Sequence, residues 1–319
     1  MQPRKPKGAP GGEGGRYDVT LATTGLTPPP PPDLSGRTMT GVAGPLDFTR
    51  TRLGGARWEQ VNAVRSRLAG TSMIRLKAFD CNLRESDLTS ADLRDAVLFD
   101  CRLDCARLDR ARLQDADIRR STLMAVSGRN IRLNGANIMD CDWAGADLNN
   151  ASLDSASLDG VRLDNADLTR STLVGTAVDS CSLERTCLDG VLCEYTRLAD
   201  MTVSPSSAKA ARFRYVRLIG CDCSEPALDE ADWADVTAYD CDFHARRLTG
   251  LTGQNRFTDC DLRGADLTGA QVASLAGCDL RGARLDGINP LDCDLKGAVV
   301  AAGQAERYGL ASRGVIIMR

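Results

Sequence analysis

One histidine, His244, stands in a chain of 319 residues. No serine, cysteine or lysine is placed beside it by a known nucleophile motif, so the usual base of covalent catalysis has no partner. No glycine-rich phosphate loop or Walker pattern occurs. Aromatic residues make up only 4% of the chain, so any core is built from small and medium side chains. No apolar run approaches the roughly 20 residues needed to span a bilayer, and no membrane insertion is expected. The opening stretch MQPRKPKGAPGGEGGRYDV lacks the apolar segment of a signal peptide. The net charge of −3 gives no general pull toward nucleic acid or an anionic surface, and no direct nucleic-acid binding is expected. These absences predict a soluble, cytoplasmic protein without catalytic residues, cofactor or metal.

What is abundant is order of an unusual period. In DCRLDCARLDRARLQDADI, residues 100 to 118, Leu103, Leu108, Leu113 and Ile118 fall five apart, as do Cys101, Ala106, Ala111 and Ala116. Stepping by five from Phe48 to Gly253 visits 42 positions, and 34 hold Leu, Ile, Val, Met, Phe or Trp. Two residues before most such centres sits a small residue, most often Ala, Ser, Thr, Cys or Val. The other three places are mostly Asp, Arg, Asn, Ser, Thr and Gly.

A strict period of five turns about 140° per step around a helix, so no helical face stays apolar. On a straight strand five is odd, and each Leu would point to the opposite side from the last. The pattern closes only if the chain turns once per pentad, as a coil wound about a central axis.

The segments ADLRD (91 to 95), ADLNN (146 to 150), ADLTR (166 to 170) and ADLTG (265 to 269) give the pattern a name. The chain resembles the pentapeptide-repeat family. That resemblance implies an all-β fold, a right-handed, four-sided parallel β-helix with one pentad per side and 20 residues per coil. The cysteines test it separately. Cys81, Cys101, Cys141, Cys181, Cys221 and Cys241 are separated only by multiples of 20. They are expected to stack as an internal column, continued by Cys260 and Cys278 after intervals of 19 and 18 residues.

The division expected is a disordered Pro/Gly-rich tail over 1–44, a β-helix of about 12–13 coils over 45–300, and a cap over 301–319. The rod is then roughly 60 Å long at ~4.8 Å per coil. Centres are assigned to Gly253 at the end of the regular run, and to Leu280, Leu285, Pro290, Leu295 and Val300 beyond it. A short helix near Gln304–Leu310 and a strand near Gly314–Met318 are expected to cover the open end. Trp143 is expected to reach into the space left empty by Gly128.

Of the 13 cysteines, 11 take inward places, where free Cys packs as a small hydrophobe. Only Cys105 and Cys187 are placed to face solvent. Function then rests on the surface. Phe79, Phe99, Met139, Ile219 and Tyr239 each follow a centre by one and share an edge of the rod, and Tyr195 and Tyr215 stack on the neighbouring edge. Exposed aromatics beside carboxylates suit a protein-binding stripe.

The first expectation is therefore a rigid, non-enzymatic scaffold for a protein partner, with translocated effector as one variant. The alternative comes from the resemblance. Some members imitate duplex DNA, bind type II topoisomerases such as DNA gyrase, and protect them from quinolones or toxins. That role needs a strongly negative surface, whereas residues 48–300 hold 32 basic and 38 acidic groups. The resemblance also implies a homodimer contact at the C-terminal end.

Overall fold

The computed structural model describes residues 32–319. It is a parallel β-solenoid of about 14 turns with almost no helix. Thirteen short strands, one per turn, pair along one side from Thr38–Thr40 to Val272–Ser274. The register advances one turn at a time: Lys77, Ala78 and Phe79 pair with Val97, Leu98 and Phe99. The other three sides of the same turn are joined by the bridges Asn82 to Arg102, Asp87 to Arg107 and Asp92 to Arg112. Four sides of five residues make the 20-residue coil that the cysteine spacing predicts.

Each pentad has a mechanical logic. Leu, or its equivalent, points to the axis: Leu88, Leu93, Leu98 and Leu103 are all buried. The small residue two places earlier also points inward, as Ser86, Ala91, Ala96 and Cys101 do. The corner falls two residues after the centre and in most pentads uses left-handed backbone. Glu85, Ser90, Asp95 and Asp100 have φ of 59°, 57°, 56° and 53°. The Asp before many centres folds its carboxylate over the N–H two residues on. Asp87 Oδ1 accepts from Thr89 N at 3.0 Å, and Asp142 Oδ1 from Ala144 N at 3.0 Å. Asp is therefore favoured there because it closes the turn on itself. Thiols and hydroxyls at the small position donate to backbone carbonyls. Cys141 Sγ reaches Met139 O at 3.2 Å and Ser171 Oγ reaches Leu148 O at 2.8 Å.

The coil starts earlier than the pentad count suggests. Asp33 already bridges Arg52, so residues 33–44 complete a first turn where a tail is expected. The remainder of the expected tail, including Pro28 to Pro31, lies outside the described residues. The extra turn lengthens the expected 12–13 coils to about 14, or ~65 Å of rod.

The shortened coils also differ in detail. Gly253 is not a centre; it is a half-buried corner with φ of 81°. Asn255, fully buried, takes up the slack. Its amide donates to Thr252 O at 2.9 Å and Gln271 O at 2.8 Å, and accepts from Val236 N at 2.9 Å. A side chain that satisfies three backbone groups replaces the apolar centre of the missing residue. Pro290 is not a centre either. Residues 289–292 leave the coil as a loop closed by Asn289 Nδ2 to Asp292 Oδ2, and Leu291 is 76% exposed.

Gly128 is closed over by Leu148 of the next turn, not by Trp143. A Cβ built at residue 128 would sit 3.1 Å from Leu148 Cδ2, and Trp143 is not among its three nearest neighbours. Leu148 reaches the space because it lies directly above on the same side, whereas Trp143 belongs to the side before.

The C-terminal cap is a helix at Ala302–Arg307 and a strand at Ile316–Met318 that pairs with Val299–Ala301. Gln304 fastens it. Its amide nitrogen donates to Leu280 O and Ala283 O, and its oxygen accepts from Gly282 N and Ala301 N.

Candidate functional site

Cys81, Cys101, Cys141, Cys181, Cys221, Cys241, Cys260 and Cys278 are all buried. Cys221 N donates to Cys241 Sγ at 3.4 Å, one turn apart. Burial alone pushes the Cys193 thiol up to about 12, and burial foremost lifts Cys141 and Cys181 to about 11. Cys105 is exposed and Cys187 half-buried. Among the described residues no cluster of His, Cys, Asp or Glu is arranged to hold a metal ion. The buried thiols act as packing.

His244 sits on the surface with Nδ1 2.8 Å from Asp242 Oδ1, and the same oxygen accepts from His244 N at 2.8 Å. The side chain is held by its own turn.

The surface stripe divides in two. In the N-terminal half Phe79 and Phe99 face each other at 6.5 Å, tilted by 48°. The guanidinium of Arg57 covers Phe79 at 4.6 Å, and that of Arg120 covers Phe99 at 5.0 Å. Both phenylalanines are half-buried, as is Met139, which lies alone between Arg119 and Asp159 of the neighbouring turns. These arginine lids were not foreseen from the sequence. The signal was present in intervals close to one turn, for Arg57 stands 22 residues before Phe79 and Arg120 stands 21 after Phe99.

The C-terminal half is open. Ile219 and Tyr239 pair on consecutive turns, and Tyr239 is 38% exposed beneath Arg217 at 5.4 Å. Around the adjoining corner, Tyr195 and Tyr215 stack with centroids 4.9 Å apart and planes within 8°. They are 63% and 50% exposed. Both stand at left-handed corners, with φ of 54° and 53°. That backbone costs a residue with a side chain about 1–2 kcal/mol, and a bulky ring has least reason to be there. The neighbouring corner on one side is Gly175, which brings no side chain against Tyr195. Tyr195 and Tyr215 hold one corner, and Arg217, Ile219 and Tyr239 hold the side that follows it; tyrosine and arginine are enriched at protein interfaces.

Elsewhere charges of both signs pair along and between turns. Arg65 meets Glu85 at 2.7 Å, Arg120 meets Asp100 at 3.0 Å, and Arg162 meets Asp142. Exposed pairs of this sort contribute at most about 1 kcal/mol each and leave no continuous field. Among the described residues no helix is long and apolar enough to cross a membrane.

A stack of identical five-residue sides around a leucine core, with chemistry only on its skin, defines a repeat-built surface protein. The pentapeptide-repeat family profile matches eight copies, over residues 79–124, 131–170, 156–192 and 273–300. The chain belongs to the pentapeptide-repeat family. No curated protein matches it. Among solved structures it is similar to HetL, a pentapeptide repeat protein involved in heterocyst differentiation regulation in the cyanobacterium Nostoc sp. strain PCC 7120. The identity is 21%, over 85% of this chain and 90% of that one, with a TM-score of 0.33. It is also similar to QnrB1, a plasmid-mediated fluoroquinolone resistance protein, at 16% identity over 86% of this chain and 97% of that one, with a TM-score of 0.41. A pentapeptide repeat protein of the Arabidopsis thaliana thylakoid lumen matches at 28% identity over 32% of this chain and 61% of that one, with a TM-score of 0.23. None of these likenesses assigns a partner to this chain.

Proposed function

We propose that this protein is a non-enzymatic, rigid scaffold that binds a protein partner through the patch of Tyr195, Tyr215, Arg217, Ile219 and Tyr239. The observation that carries this reading is the stacked, exposed tyrosine pair on left-handed corners. The other left-handed corners carry charged, polar, small or glycine residues, and only these two carry aromatic rings, so the exposed pair is best accounted for by what it touches outside the chain. Phe79, Phe99 and Met139 extend the stripe as a secondary contact that needs Arg57 and Arg120 to swing aside.

The topoisomerase-mimic reading is less well supported. It requires unbroken acidic columns, and here Arg–Asp pairs on successive turns neutralise them. The thiol-rich core suits a reducing compartment such as the cytoplasm.

The test is co-purification from the native cell with the wild-type chain and with Tyr195→Ser/Tyr215→Ser. A partner retained by the first and lost from the second, at equal melting temperature, supports the reading. Equal recovery with both chains contradicts it.

A second contact has its own observation. The strand Ile316–Met318 ends the rod with Ile316, Ile317 and Met318 all exposed. An apolar edge strand suits a second copy of the chain. Light scattering should then give twice the 34.2 kDa chain mass, and Ile316→Lys should halve it.

A further inference from the structure

The rod is acidic overall, yet one edge of it is not. A longitudinal groove of ≈ 590 Å³ runs between two columns, with Ser90, Arg110, Asn130 and Asn150 on one wall and Asp92, Arg112, Arg132 and Ser152 on the other. Three guanidinium groups thus face a single carboxylate. That carboxylate is already taken: Asp92 binds Arg94 at 2.8 Å and lies 3.8 Å from Arg112. Arg110 and Arg132 make no ion pair or side-chain hydrogen bond among the described residues, and neither do Asn130 and Ser90.

Arg112 and Arg132 are directly bridged on consecutive turns, so two like charges stand side by side at the ~4.8 Å spacing of paired strands. Like charges directly opposite each other across a ladder are destabilising. Several arginines of this rod have an aspartate one turn away, as Arg162 has Asp142 and Arg112 has Asp92. Arg132 has Arg112 on one side and Ser152 on the other. The groove therefore holds uncompensated positive charge, unused amide and hydroxyl donors, and a shape elongated along the axis. Guanidinium forks match phosphate oxygens in geometry as well as charge.

We propose that this groove binds an elongated oligophosphate, with Arg110, Arg112 and Arg132 each engaging phosphoryl oxygens and Asn130 and Ser90 donating from the corner. The ligand lies along the rod and spans two or more turns. It neutralises the Arg112–Arg132 repulsion, so binding and stability are linked. The site is on a different edge from the tyrosine patch and does not depend on it.

The experiment is titration calorimetry of the full chain with inorganic tripolyphosphate at low salt, with inorganic phosphate and citrate as comparison arms. Saturable binding of tripolyphosphate is expected, at least tenfold tighter than either comparison ion, with a rise in melting temperature. Arg110→Ala and Arg132→Ala should each weaken it at least tenfold. Arg185→Ala, which removes an arginine paired to Glu184 on another edge, should leave it unchanged. Melting curves of the free variants show that each is folded. Three results would overturn the proposal: no saturable binding at millimolar tripolyphosphate, equal loss in all three variants, or no loss in any. Affinity for inorganic phosphate equal to that for tripolyphosphate would overturn the elongated ligand.

Discussion

The rings of Tyr195 and Tyr215 lie one turn apart on the same corner, parallel within 8° and 4.9 Å between centroids. Stacking of this kind returns about 0.5–1.5 kcal/mol, roughly what the left-handed corner takes away. Replacing Tyr195 by Asn should therefore change unfolding free energy by less than about 1 kcal/mol, read from urea denaturation. The same change should reduce partner retention sharply. A large loss of stability would make the pair a structural brace instead.

Trp143 is fully buried, and its indole N–H has no hydrogen-bond partner. The ring contributes by volume alone and carries an unmet polar cost. Trp143→Ala should lose at least about 3 kcal/mol by opening a cavity. Trp143→Phe should lose far less, since it removes the unpaired donor together with part of the ring. Equilibrium denaturation of the two variants separates these terms, and similar losses would contradict the account.

The buried thiols set the alkaline limit. Cys141, Cys181 and Cys293 are held up at about 11 and Cys193 at about 12, chiefly by burial. Their ordinary value in the unfolded chain is near 9. Below pH 9 both states keep their protons and these groups do not tilt the balance. Above it the unfolded chain releases protons that the folded chain retains, so stability falls as pH rises toward 11–12. Each such thiol steepens the fall by up to about 1.4 kcal/mol per pH unit. At neutral pH a thiol reagent should modify Cys105 first and Cys187 more slowly, leaving the other 11 cysteines until unfolding. Rapid labelling of Cys241 in the folded protein would contradict the packing.

The core is thinnest where smaller centres replace Leu. Val178, Cys193 and Val203 line an enclosed apolar void of ≈ 30 Å³ with Leu158, Leu173 and Phe213 around it. Val178→Leu adds one methylene to that space. It should raise stability by about 1 kcal/mol, with a matching rise in melting temperature. A fall would show that the void is already closed in solution.

The period of five carried nearly all of the coil, because every side of the rod obeys the same constraint and errors cannot accumulate. Sequence reasoning failed where the constraint is broken. At Gly253 a missing residue turned a centre into a corner and brought Asn255 inside. At Pro290 the chain left the coil, since a proline-fixed φ and an Asn–Asp clasp make a loop where a centre was expected. The stripe residues lie where the 20-residue interval places them. What covers them is a property of long arginine side chains reaching two residues or one turn away, which spacing alone does not reveal. The basic groove was equally hidden, for Arg110 and Arg132 look alike in sequence to arginines that have an aspartate on a neighbouring turn.

The most direct test of the surface reading is photo-crosslinking in the native cell, with a benzophenone amino acid placed at Tyr215 and, separately, at Arg129 on another face. The account predicts one discrete crosslinked protein from position 215 and none from position 129. The same products from both positions, or none from 215, would contradict it.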